Sequence, residues 1–113
     1  MLPDAVPHAD AAHAAGRSAL LVEALCRRPD LLLPATEDRL HQDYRGPAMP
    51  DTIALVRRLR RRGVAAVVSG AGPTVLALSS ADRTADLGDA DELGLDGWQV
   101  LTLPVATSGA QVL

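Results

Sequence analysis

A chain of 113 residues, 48% hydrophobic and 22% charged, has room for one domain with its own core and is too apolar to be disordered. A net charge of −3 gives no general affinity for nucleic acid or anionic membrane, no apolar run nears the ~20 residues of a membrane span, and no secretory leader pattern opens the chain, so a cytoplasmic protein is expected. The lone Cys26 excludes an internal disulfide and a cysteine-cluster zinc site, and with Tyr44 and Trp98 the sole aromatics there is no platform for stacking RNA bases.

The first seven residues, with Pro3 and Pro7, read as an extended lead-in. From His8 to Arg28 the pattern is helical: Ala12, Ala15, Ala19, Val22 and Cys26 recur every three or four residues, beside Leu25. This stripe is the expected core face, with Cys26 buried and inert and Gly16 marking close packing. Pro29 stops the helix. A second helix is expected over 30–41, capped by Asp30. Residues 42–49, with Gly46 and Pro47, read as a loop. A third helix runs from Pro50 or Asp51 to Arg62, with Ile53, Val56 and Leu59 inward, Pro50 at its first position and Gly63 just past its end.

The period then changes. The small apolar runs 64–69 (VAAVVS) and 74–79 (TVLALS) read as buried strands joined by the tight turn Gly70-Ala71-Gly72-Pro73. A short helix is expected at 81–87, a third strand at 98–105 (WQVLTLPV), and a short strand in the tail. The order is α-α-α-β-β-(α)-β, an α+β sandwich with a mostly antiparallel sheet and helices on one face. The chain reads as one domain over 1–113, and its abrupt start before a helix suggests that a first strand is missing.

Two features carry candidate chemistry. In Ser69–Thr74 (SGAGPT), two glycines let backbone approach a ligand, and successive N–H groups can cradle an anion. The alternative is an ordinary tight turn. It is no Walker loop, since no Gly-Lys-Ser/Thr follows and the chain has no lysine, and no dinucleotide fingerprint, since a strand follows it. Arg45, beside Tyr44 in the 42–49 loop, can grip a carboxylate or phosphate in bidentate fashion, or can be a solvated loop arginine. The run Arg57–Arg62 reads as a solvated helix face rather than a nucleic-acid patch. His8 and His13 lie ~140° apart around a helix and do not converge on a metal. The acidic stretch 82–96 fails the calcium-loop pattern, because Leu93 falls at the fifth position. No residue is marked as catalytic and none as a metal ligand.

The blocks VPHADAAHAAGRSALLVEAL (6–25), EDRLHQDYRGPAMP (37–50) and GVAAVVSGAGPTVLAL (63–78) together resemble the C-terminal part of homoserine kinases, especially actinobacterial ones, within the small-molecule kinases that include galactokinase and mevalonate kinase. The resemblance implies a ferredoxin-like C-terminal domain and transfer of the γ-phosphate of ATP, with Mg²⁺, to the hydroxyl of L-homoserine on the route to threonine. It implies that Arg45 grips the substrate carboxylate and that Gly70, Ala71 and Gly72 form the glycine loop beside substrate and phosphates, Gly70 touching substrate. The family's ATP phosphate loop, Mg²⁺ ligands and a second substrate arginine match nothing here. The chain alone is therefore expected to be inactive, to bind neither ATP nor Mg²⁺, and to need an N-terminal domain as its partner, with a homodimer left open. A rival reading is a stand-alone regulatory module that binds an amino acid in a ferredoxin-like fold.

Overall fold

The computed structural model describes residues 2–80 and 93–112. In chain order these form α1 (His8–Cys26), a 3₁₀ turn (Pro29–Leu31), α2 (Leu32–Ala35), α3 (Gln42–Arg45), a second 3₁₀ turn (Gly46–Ala48), α4 (Pro50–Arg61), β1 (Ala65–Val68) and β2 (Val75–Leu78). The class is α+β with an antiparallel sheet. Ala65 pairs with Leu78, and the register runs through to Val68 with Val75. The helix expected at 81–87 lies outside the described residues.

α4 forms for the reasons its sequence suggests. Pro50 sits in its first turn, basic residues fill its last turn, and Gly63 beyond its end has φ +83°. Its inward face buries Thr52, Ile53, Leu55, Val56 and Leu59. Leu55 and Leu59 pack with Val64 and Ala66 of the β1 arm and with Leu93, and Val75, Ala77, Leu95 and Trp98 close around them. The core therefore lies between α4 and one face of the hairpin. Small side chains at Ala66 and Ala77 let helix and sheet approach closely.

α1 turns a different face inward from the one expected. Ala12, Ala15, Ala19, Val22, Leu25 and Cys26 are exposed, Val22 by 64%, while Leu20, Leu21 and the buried Ala24 face the molecule. The helix is apolar nearly all round, so periodicity does not single out a face. Polar contacts decide between them. Arg17 pairs with Glu37 at 3.0 Å, His13 lies 3.3 Å from the same carboxylate, and Arg39 reaches Asp10 at 3.5 Å. The Cys26 thiol is exposed rather than buried, and no atom would crowd a Cβ at Gly16.

The single helix expected over 30–41 is broken. Thr36 Oγ1 donates back to the Leu32 and Leu33 carbonyls at 2.8 and 3.1 Å, ending α2. The Asp38 carboxylate then accepts the N–H groups of Leu40, His41 and Gln42 at 3.1, 2.9 and 2.6 Å and starts α3. Short polar side chains have outcompeted the helical ladder. Arg45 is consequently the last residue of a helix and not part of a loop. The expected third strand at 98–105 also differs. Among the described residues the sheet has two strands, and Val100, Leu101, Leu103 and Val105 are 63–89% exposed. The segment pairs with neither edge of the two-stranded sheet, so it forms no ladder. The tail adds no strand either. Among the described residues no helix is long and apolar enough to cross a membrane.

Candidate functional site

The turn between β1 and β2 is tightly determined. Ser69 N–H donates to the Thr74 carbonyl at 2.8 Å, and Gly72 N–H donates to the Ser69 carbonyl at 3.1 Å. Gly70 and Gly72 have φ of +59° and +85°, which side-chain-bearing residues rarely adopt. Thr52, 3% exposed on α4, donates its hydroxyl to the Pro73 carbonyl at 3.1 Å and pins the far side of the turn. A Cβ at Gly72 would fall 2.6 Å from Met49 Sδ and 3.2 Å from Val68 Cγ1, so that side of the turn is filled. Nothing lies within 4 Å of a Cβ built at Gly70, so that side is open.

The open side faces a cavity of about 200 Å³ whose walls include Asp38, Gln42, Arg45, Met49, Val68 and Gly70. The structure thus brings Arg45 and Gly70 to one cavity. Ala71 and Gly72 belong to the same turn but not to its walls. The Gly72 N–H is occupied within the turn, while those of Gly70 and Ala71 have no hydrogen-bond partner among the described residues. Arg45 is half-buried, and its guanidinium has no carboxylate or carbonyl partner among the described residues. That distinguishes it from Arg17, Arg27, Arg28, Arg39 and Arg57, all paired with acids. A cation that shares an open cavity with Gly70, whose N–H is spare among the described residues, suits an anionic ligand.

Two contributors escaped the sequence reading. Gln42, three residues before Arg45, accepts the Val68 N–H on its Oε1 at 2.7 Å. Arg60, expected on a solvated face, turns inward. Its guanidinium donates to Leu33 O at 2.6 Å, Thr36 Oγ1 at 2.8 Å, Ala66 O at 3.2 Å and Thr36 O at 3.3 Å. It ties the end of α2 to α4 and to β1. Partial burial lowers its pKa from the usual guanidinium range, opposed by Glu37. The signal was present: Ile53, Val56 and Arg60 sit at i, i+3 and i+7, on the core stripe.

Residues 12–94 match the family described as GHMP kinases C terminal. The chain belongs to that family. It is 61% identical over 116 residues to homoserine kinase of Streptomyces coelicolor, covering 96% of this chain and 37% of that protein. Homoserine kinase of Streptomyces avermitilis is 60% identical, with 100% and 36% covered, and that of Rhodococcus erythropolis 55%, with 94% and 33%. This GHMP kinase C-terminal domain thus spans about a third of the length of those curated relatives. Its cavity lies inside the matched range.

Proposed function

We propose that the chain serves as the C-terminal part of a homoserine kinase, in which the Arg45 guanidinium holds the carboxylate of L-homoserine while ATP supplies the phosphoryl group. The observation that carries this reading is Arg45, unpaired among the described residues, sharing a cavity with Gly70 in a domain 61% identical to a homoserine kinase. Phosphoryl transfer is largely positioning and charge stabilisation. A bidentate guanidinium fixes one end of the amino acid. In this reading the Gly70 and Ala71 N–H groups donate to substrate or to the transferring phosphoryl oxygens.

Among the described residues no group of three His, Cys, Asp or Glu side chains could hold a metal ion. No step is assigned to the metal on this chain. Nucleotide and metal contacts fall to a preceding domain of the longer enzyme, placed in the cytoplasm, and the 113-residue chain alone is inactive. The experiment is a chimera in which this chain replaces the matching C-terminal segment of the Streptomyces coelicolor enzyme. ATP-dependent formation of O-phosphohomoserine is expected from the chimera and not from the chain alone. A folded chimera without that activity, or turnover by the isolated chain, overturns the proposal.

A further inference from the structure

The site is made of two separate pieces of chain, the Arg45 helix and the glycine turn, and something must set their spacing. Because Ser69 and Thr74 are joined by a hydrogen bond, the alternation of an antiparallel ladder aims the N–H of Val68 away from β2, at the outer edge of β1. In a larger sheet another strand would take that donor. Here the Gln42 side-chain oxygen takes it at 2.7 Å. Val68 lies two residues before Gly70, and Gln42 lies three before Arg45, on the same face of α3.

α3 has four residues, too few to be rigid by its own ladder. The Asp38 cap that starts it is local to the same segment. The Arg57–Asp43 contact, at 3.5 Å with both side chains mostly exposed, is weak. Among the described residues, the Gln42–Val68 bond is the hydrogen bond from an α3 side chain to the sheet. A neutral amide also suits the place, since a carboxylate there would compete with the ligand for Arg45. We propose that Gln42 is a positioning residue, which through Val68 holds Arg45 at a fixed distance from the glycine turn. The proposal rests on the reading of Arg45 as the carboxylate-binding group.

The test is a double-mutant cycle in the chimera, using Gln42→Met, which keeps volume and removes the acceptor, and Arg45→Ala. A misplacement of about 1 Å costs up to ~100-fold in such sites. Gln42→Met is therefore expected to raise KM for homoserine by roughly 10- to 100-fold and to leave KM for ATP unchanged. In the Arg45→Ala background it should have no further effect, because its action runs through Arg45. Should Gln42→Met disturb folding, Gln42→Asn, a methylene too short to reach Val68, gives the same cycle. Independently, amide hydrogen exchange at Val68 in the 113-residue chain should speed up by about 10-fold or more in either variant, with Val67 unchanged. An unaltered Val68 amide, or effects of the two substitutions that simply add, overturns the role of Gln42. Arg45→Ala leaving homoserine KM unchanged overturns instead the reading of Arg45 beneath it.

Discussion

Replacing Arg60 by methionine removes a guanidinium that makes four hydrogen bonds. Methionine keeps the apolar stem in place and removes the guanidinium. Lost with it are hydrogen bonds to the carbonyls of Leu33, Thr36 and Ala66 and to the Thr36 hydroxyl. Hydrogen bonds to a charged group are worth ~1.5–3 kcal/mol each, but they do not add. Three of the four share one nitrogen, so the loss is smaller than their sum. A loss of about 2–4 kcal/mol is expected, or roughly 10–20 °C in melting temperature for a domain of this size. Arg57→Met is the matched control. Its ion pair with Asp43 is 65% and 73% exposed at 3.5 Å, and its removal should cost under about 0.5 kcal/mol. Arg60→Lys keeps the charge but not the forked geometry, and should fall between the two. Urea unfolding of the three variants at neutral pH measures this. If Arg60→Met is as mild as Arg57→Met, the tie between α2, α4 and β1 is not a stabilising contact.

Gly72→Val should destroy homoserine phosphorylation in the chimera while leaving most of the sheet intact by circular dichroism. Its φ of +85° and a Cβ 2.6 Å from Met49 Sδ force the turn or Met49, a cavity wall, to move. Wild-type kinetics in this variant would show that the turn shape is irrelevant. The Asp30 carboxyl is held below the ordinary aspartate range by its hydrogen bond from Arg28. A lowered folded-state pKa means its contribution is present above the unfolded pKa and is lost as pH falls through the folded one. Both groups are exposed, so the shift should be visible by NMR, vanish in Arg28→Ala, and leave acid unfolding nearly unchanged. A large change in acid stability in Arg28→Ala would contradict that assignment.

What could be read from the sequence followed from strong local signals. The Ile53, Val56, Leu59 stripe with Pro50 and Gly63 at its ends determines α4, and two short apolar runs around a glycine turn determine the hairpin. The face of α1 was not legible, because alanine and leucine surround the helix and ion pairs to Glu37 and Arg39 choose its orientation. The break at Thr36 and Asp38 was missed because side-chain-to-backbone bonds leave periodicity unchanged. Arg45 and Gly70 were found separately. Their meeting in one cavity, like the Gln42–Val68 bond across 26 residues, is a long-range feature that no local pattern encodes.

The central claim is that Arg45 holds the carboxylate of the substrate, and steady-state kinetics of Arg45→Ala in the chimera test it most directly. A charge-assisted bidentate contact of about 2–4 kcal/mol predicts a fall in kcat/KM for homoserine of roughly 30- to 900-fold, with KM for ATP little changed. An amino alcohol of the same length without the carboxylate should be phosphorylated equally poorly by both proteins. If Arg45→Ala leaves kcat/KM for homoserine unchanged, the cavity beside the glycine turn does not bind the carboxylate.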